Sequence, residues 1–468
     1  MACIAEAVSP PDPPMQAISL TRADLHAGYR QGLDAASVIA SCHARIAQVN
    51  DPGVFLHLIP EAVAVASARA LPSFDPEALP LWGLPFVVKD NIDVAGLPTT
   101  AGCPEFAYVP SATAPAVERL LAAGAILLGK TNLDQFATGL VGVRTPYPAP
   151  RNPFDPLRVP GGSSSGSAVA VAQGFATFAL GTDTAGSGRI PAAFNNLVGL
   201  KPSLGAISTR GVFPACRTLD CVSVFALTVD DASAVFAAAA AHDPAEAYSR
   251  QVPQAGGAIV RIGAPAAGEI DSACDPMSAA AWRAGLETLR AAGAEIVETS
   301  FDHFREAAGM LYAGPWVAER RAAVGAFMDE RPEAMHPVTR RILAGADVVS
   351  AADAFRAFYR LADLKRRCEA TFAECDALAV PTAPLFPLLA ELAADPIGPN
   401  NRLGAYTNFV NLFDLAALAV PGPFRADGLP AGLTLIAPAG HDLRLAALGR
   451  RVFDGVGGAA GTARQAAA

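Results

Sequence analysis

Two glycine- and serine-rich loops separated by apolar runs constrain the fold of this chain more than any other stretch. The first loop, residues 161–166, reads GGSSSG, and the second, residues 181–188, reads GTDTAGSG. Glycine permits positive φ and close backbone approach, so each loop can point consecutive N–H groups at a bound anion. The intervening residues 168–172 and 175–180 are apolar and predict a buried helix and a buried strand. Flexible linkers lack such buried flanks, and we therefore expect two anchored loops.

Composition predicts one large globular domain without unusual partners. The 468 residues are 52% hydrophobic and 17% charged, which excludes disorder and a coiled coil. A net charge of -9 without a basic cluster argues against nucleic acid and anionic membranes as partners. Eight scattered cysteines without a C-x-x-C pair favour a reducing, cytoplasmic setting over a disulfide or zinc framework. We expect a small-molecule substrate and no metal or other cofactor.

The alternation of helical patterns and short apolar runs predicts an α/β fold with a large mixed, mainly parallel sheet flanked by helices on both faces. Residues 406–418 are predicted to be helical, and no internal repeat is visible. The predicted organisation has these parts: an N-terminal extension (1–17), one main domain (18–453) made of a helical lead-in (18–75), a catalytic core (80–230) and a variable helical substrate-binding half (255–375), and a flexible tail (454–468).

Lys89 ends a predicted buried strand, residues 81–88, and is followed by Asp90 and Asn91. A strand that ends at a ligand crevice delivers its last side chain into the site. Desolvation there would lower the pKa of the lysine and let it act as a general base near neutral pH. The alternative is a surface lysine that begins a turn.

Two other motif matches fail on their context. Residues 124–131 match the nucleotide-binding pattern G-x-x-x-x-G-K-T, but the central Ala-Ile-Leu-Leu predicts a strand rather than a phosphate loop. Ser164 fits the G-x-S-x-G pattern of a nucleophile activated by histidine. The preceding residues 151–160 are interrupted by prolines, however, and no later histidine stands at a strand end. A serine nucleophile here needs another base, and Lys89 is the candidate.

Three motifs together resemble the amidase signature family: Lys-Asp-Asn after a strand, GGSSSGS at residues 161–167, and GTDTAGSGRIP at residues 181–191. The resemblance extends over about residues 18–453. It implies a Ser-cisSer-Lys triad in which Ser187 is the nucleophile, Ser163 is the bridging serine on a cis peptide, and Lys89 is the general base.

The resemblance also implies an oxyanion hole next to the nucleophile. Backbone N–H groups that face the developing negative charge would stabilise the tetrahedral intermediate. In this sequence the donors would be the N–H groups of Thr184, Ala185, Gly186 and Ser187.

Residues 191–196, 216–228 and 312–320 resemble the branch of this family that hydrolyses allophanate, a small anionic ureide. In that branch a tyrosine and an arginine eight positions apart bind the substrate, and Tyr312 and Arg320 match them. Arginine offers a carboxylate a planar, permanently charged partner. The alternative for Arg320 is a place on an exposed helix face. Members of the branch commonly carry a C-terminal accessory domain, which we expect this chain to lack.

Several alternatives stay open from the sequence alone. The chain could hydrolyse another small amide, or serve as the glutaminase-type subunit of an amidotransferase that acts on charged tRNA. Homodimer formation is open as well. Arg144 and Arg217 are further candidate cations for an anionic substrate, with a structural role as the alternative for each.

Overall fold

The computed structural model describes residues 18–458 and 460–464 and joins their strands into one eleven-stranded sheet. The strands are β1 (Phe55–Leu58), β2 (Pro85–Lys89), β3 (Ile126–Thr131), β4 (Phe178–Asp183), β5 (Val198–Lys201), β6 (Cys221–Ala226), β7 (Arg261–Ala264), β8 (Glu295–Glu298), β9 (Ala377–Pro381), β10 (Leu415–Pro421) and β11 (Gly432–Pro438). Their order across the sheet is β1-β3-β2-β4-β6-β5-β10-β11-β9-β7-β8.

The α-helices of the described residues surround this sheet. They are α1 (Arg22–Arg30), α2 (Ala35–Val49), α3 (Glu61–Arg69), α4 (Pro115–Ala122), α5 (Ser165–Ala172), α6 (Ile190–Phe194), α7 (Val229–Ala239), α8 (Ala267–Ala273), α9 (Pro276–Ala291), α10 (Asp302–Ala313), α11 (Trp316–Glu330), α12 (Pro337–Ala344), α13 (Ala351–Glu374), α14 (Leu389–Ala394), α15 (Gly398–Leu403), α16 (Asn408–Leu412) and α17 (Asp442–Gly455). The predicted α/β class with a large mixed sheet is confirmed.

The prediction that the sheet is mainly parallel is wrong. Four neighbouring pairs are parallel and six are antiparallel. The error comes largely from residues 406–418, where the predicted helix ends at Leu412 and β10 begins at Leu415. A short apolar run such as Leu-Ala-Ala-Leu-Ala-Val fits a buried helix or a buried strand equally well. Because β10 pairs antiparallel with both β5 and β11, missing it removed two antiparallel pairs from the predicted sheet.

Parallel pairing of β2 with β4 positions the candidate site. Val88 lies opposite Leu180, so the two strands end side by side, at Lys89 and Asp183. Every residue of both strands is buried, and because side chains alternate between the faces of a sheet, both faces must be covered. Helix α5, all of whose residues are buried, packs against both strands.

The G-x-x-x-x-G-K-T match lies largely within β3, as its apolar centre predicted. Lys130 pairs there with Asp90 at 3.0 Å, and both side chains are buried. An ammonium that is already paired with a carboxylate inside the sheet stabilises the fold and is not presented to a nucleotide.

Part of the predicted flexible tail (454–468) forms helix and hydrogen bonds in the described chain. Helix α17 continues to Gly455, and the N–H group of Gly461 donates to the carbonyl of Asn196 at 2.7 Å. The predicted N-terminal extension (1–17), residue 459 and residues 465–468 lie outside the described residues. Within the described part, no helix combines the length and the apolar character needed to cross a bilayer.

Candidate active site

Lys89 is fully buried and lies in contact with two hydroxyl groups. Its Nζ is 2.7 Å from Oγ of Ser163 and 2.7 Å from Oγ1 of Thr182. Burial lowers the pKa of Lys89 to about 7, although the carboxylates of Asp134, Asp220 and Asp183 act in the opposite direction. An amine with this pKa is partly uncharged at neutral pH and can accept a proton from a hydroxyl. The surface-lysine alternative is therefore wrong.

Ser163 follows a cis peptide bond with Gly162 and is completely buried. Its carbonyl accepts a hydrogen bond from the N–H group of Asp134 at 3.0 Å. The N–H group of Gly162 donates to the carbonyl of Leu140 at 2.9 Å. The serine loop is thus held on both sides of the cis bond by the segment 134–144.

The same segment holds the hydroxyl of Ser187. Oγ of Ser187 lies 3.5 Å from the carbonyl oxygen of Gly139, the residue before Leu140. Ser187 is 3% exposed and therefore buried as well. Lys89 and Ser163 are in direct contact, whereas Ser187 is hydrogen-bonded to the segment that also binds the loop of Ser163.

Asp183 shapes the loop that carries Ser187. Its carboxylate accepts the N–H groups of Gly186 at 2.9 Å and Gly188 at 3.0 Å, and it receives two 2.9 Å hydrogen bonds from the guanidinium of Arg189. Burial alone would raise the pKa of Asp183, but Arg189 and these donors hold it below its usual value. A charged carboxylate therefore remains inside the loop and fixes its backbone.

The N–H groups around Ser187 fit the expected oxyanion hole only in part. Contrary to the expectation, the N–H group of Gly186 is not available to an oxyanion, because it donates to the carboxylate of Asp183. Within the described chain, the N–H groups of Thr184, Ala185 and Ser187 donate to no other residue, and the hydroxyl of Thr184 donates to Asp220 at 2.5 Å. Three of the four expected donors in the loop of Ser187 thus remain available to an oxyanion.

Arg320 reaches the same segment from α11 and is 1% exposed. Its Nη1 lies 3.3 Å from the carbonyl of Ala137 and 3.3 Å from the hydroxyl of Thr138. Its Nη2 lies 3.4 Å from the hydroxyl of Tyr312, and its guanidinium lies 5.0 Å from the centre of the Tyr312 ring. The exposed-face alternative is wrong for Arg320, whereas the neighbouring Glu319 binds Thr218 at an exposed position.

Sequence reasoning missed several side chains that shape this site. Thr182 and Asp183 belong to the GTDTAGSG motif. Their position at the end of a buried strand could have marked them as site residues. Asp134 carried no local signal, because its partners are backbone groups that only the folded loop brings to it. Among the residues described, no three His, Cys, Asp or Glu side chains are grouped so as to hold a metal ion.

The glycine-serine loops, the buried lysine and the fold together define a class of hydrolase. The family model named Amidase matches residues 37–446. The chain belongs to the amidase family and is an amidohydrolase by class.

Several known proteins are similar to this chain over most of its length. The chain is 46% identical over 387 residues to urea amidolyase of Saccharomyces cerevisiae, covering 81% of this chain and 21% of that protein. The crystal structure of Kluyveromyces lactis allophanate hydrolase superimposes with a TM-score of 0.88 at 41% identity, covering 94% of this chain and 73% of the other. A glutamyl-tRNA(Gln) amidotransferase subunit of Nitratidesulfovibrio vulgaris is 37% identical over 463 residues, covering 90% of this chain and 93% of that protein. The chain therefore spans about a fifth of the urea amidolyases that it matches.

Proposed function

We propose that this chain is an allophanate hydrolase. It would hydrolyse the terminal amide of allophanate to ammonia and N-carboxycarbamate. The observation that carries the proposal is the position of Arg320, a buried guanidinium that contacts Tyr312 and the segment bonded to Ser187. A permanently charged, planar group next to the segment that binds Ser187 suits a substrate with a carboxylate. The likeness to urea amidolyase and to allophanate hydrolase supports the same substrate.

The proposed reaction uses Lys89 at the end of β2, Ser163 just before α5, and Ser187 just after β4. Uncharged Lys89 takes a proton from Ser163, and Ser163 takes one from Ser187 as Ser187 attacks the amide carbon. The 2.7 Å contact between Lys89 and Ser163 supports the first transfer. For the second transfer, the Ser187 hydroxyl must rotate from Gly139 toward Ser163.

Collapse of the tetrahedral intermediate releases ammonia. The leaving nitrogen receives its proton from the same chain of groups, and an acyl-enzyme remains on Ser187. The N–H groups of Thr184, Ala185 and Ser187 would stabilise the oxyanion in both halves of the reaction. Water then attacks the acyl-enzyme, with Lys89 and Ser163 accepting its proton, and N-carboxycarbamate leaves.

Ammonia release from a panel of amides tests this proposal. Allophanate should be hydrolysed with a higher kcat/KM than malonamate, acetamide, biuret or glutamine, and the Ser187→Ala variant should show no turnover above background. Equal rates on acetamide and allophanate would contradict the assigned substrate. Preference for glutamine would instead support a role like that of the amidotransferase subunits.

A further inference from the structure

A second buried guanidinium lies beside Arg320. Arg144 is 2% exposed, and its Nη1 and Nη2 lie 3.1 Å and 2.9 Å from the carbonyls of Thr138 and Pro396. In the described chain, the hydrogen bonds of the two guanidinium groups, those of Arg144 and Arg320, go to carbonyls and hydroxyls rather than to a carboxylate. A buried charge without an opposite charge in contact is costly, and two such charges together indicate a site built for an anion.

The nearby carboxylates are occupied by other donors. Asp134 accepts the N–H groups of Val141, Gly142 and Arg144 at 3.2, 2.9 and 2.9 Å. These bonds tie its charge to the backbone of the segment. Burial lowers the pKa of Arg144 while the charge of Asp134 acts in the opposite direction, and in the described chain no ion pair joins the two side chains.

The carboxylate of Asp220 is also bonded to donors other than the two guanidinium groups. It accepts the hydroxyl of Thr184 at 2.5 Å and the N–H groups of Ala215 and Cys216 at 2.8 and 3.2 Å. Neither carboxylate therefore neutralises the arginines by direct contact.

Arg144 and Arg320 hold the same residue from two sides. Arg144 binds the carbonyl of Thr138, and Arg320 binds its hydroxyl. The aliphatic part of the Arg144 side chain also packs close to Gly139. A Cβ added to that glycine would lie 3.2 Å from Cδ of Arg144. Gly139 in turn accepts the hydroxyl of Ser187. Arg144 is thus linked to both the nucleophile and Arg320.

We propose that Arg144 is a positioning residue for an anionic substrate: it fixes Thr138, and through Thr138 it orients Arg320, while its charge adds to that of Arg320 where the substrate carboxylate would bind. The inference rests on the proposed function in that the substrate carries a carboxylate. It does not require that the substrate be allophanate.

The test compares two amides that differ in charge, malonamate and malonamide, in the wild-type protein and in the Arg144→Gln and Arg144→Lys variants. Arg144→Gln should raise KM for malonamate about tenfold or more and should lower kcat/KM for malonamate at least about fivefold more than it lowers kcat/KM for malonamide. Arg144→Lys, which keeps the charge, should recover part of the affinity for malonamate. Arg366→Gln, at a side chain that is 84% exposed, is the control and should change neither value.

A merely structural role for Arg144 predicts a different result. In that case Arg144→Gln lowers kcat/KM for both amides by the same factor and Arg144→Lys does not restore the preference, and either finding would overturn the inference. Inhibition by malonate provides a second measurement, because its inhibition constant should rise in Arg144→Gln while the melting temperature stays close to that of Arg144→Lys. A wild-type enzyme that prefers malonamate to malonamide but rejects allophanate would contradict the proposed function alone.

Discussion

Arg189 binds back onto Asp183, six residues earlier, through two hydrogen bonds of 2.9 Å each. Both side chains are fully buried, and Ser187 lies between them in the sequence. The pair therefore closes the loop that carries Ser187 into a ring of side chain and backbone. Because the bond joins two opposite charges away from the protein surface, the loop keeps one shape before a substrate arrives.

Removing one partner of this pair should destabilise the whole protein. Arg189→Met leaves the buried carboxylate of Asp183 without its cation, which should lower the free energy of unfolding by about 3–5 kcal/mol. Arg366→Met breaks the exposed pair with Glu369 and should cost less than about 0.5 kcal/mol. Urea unfolding followed by circular dichroism measures both values. Similar small losses in the two variants would show that the buried pair is not a structural support.

The serines of the first loop should differ sharply in their effect on turnover. Ser163→Ala removes the hydroxyl that contacts Lys89 and should lower kcat by about a thousandfold or more. Ser165→Ala is the matched control, because Oγ of Ser165 makes only a 3.4 Å contact with the carbonyl of Asn132. It should keep most of the wild-type kcat. Equal activity in the two variants, measured as ammonia release, would remove Ser163 from the proposed triad.

The lowered pKa of Lys89 predicts the acid side of the pH profile. The proposed base acts in its uncharged form, and burial lowers its pKa to about 7. The value of kcat/KM should therefore rise as the pH increases through about 7 and then level off. Asp134, Asp220 and Asp183 raise this pKa, and Arg320 lowers it.

Asp134→Asn tests that assignment without removing the base. Loss of the carboxylate charge should lower the pKa of Lys89 further, so the acid limb of kcat/KM should move to lower pH, whatever the change in maximal rate. Glu369→Gln, at an exposed position far from any contact with Lys89, should leave the limb in place. An unmoved limb in Asp134→Asn would argue that another group controls the profile.

Two glycines with positive φ should respond differently to alanine. Gly142 has φ +79°, and a Cβ there would overlap the carbonyl oxygen of Gly161. Gly174 has φ +71° with no atom within 4 Å of such a Cβ. Gly174→Ala should cost only the backbone strain of about 1–2 kcal/mol and leave kcat unchanged. Gly142→Ala must also displace the loop of Ser163 and should lose most activity, as measured by ammonia release beside thermal unfolding.

The sequence predicted the parts of this molecule that depend on local pattern. The buried helix and the buried strand predicted between the two serine loops, at residues 168–172 and 175–180, correspond to α5 and β4, because an apolar run bounded by glycine-rich loops is a signal within a short window. The proximity of Lys89 to Ser163 was also predicted, through motifs 74 residues apart. The burial of Arg320 was not predicted. The apolar residues of its helix α11 are spread around the helix rather than confined to one face. The guanidinium is bonded to Ala137 and Thr138, which are distant in the sequence.

The remaining errors share a physical cause. Strand β10 has no alternation of polar and apolar residues, because it is buried on both faces. The use of the Gly186 N–H group by Asp183 depends on the turn geometry of a loop rather than on residue type. Such features are set by partners that are distant in the sequence or by backbone direction, and no pattern within a short window contains them.

Arg320 donates one of its hydrogen bonds to a main-chain oxygen of the segment next to Ser187, the carbonyl of Ala137. A carbonyl is present whatever side chain the residue carries, so mutations at position 137 that keep the backbone in place would not alter this attachment. Substitutions in the helices α10 and α11, which carry the proposed substrate-binding residues, would therefore need no matching side-chain change at residue 137. The amide-cleaving machinery and the choice of substrate would then be free to diverge at different rates within one chain.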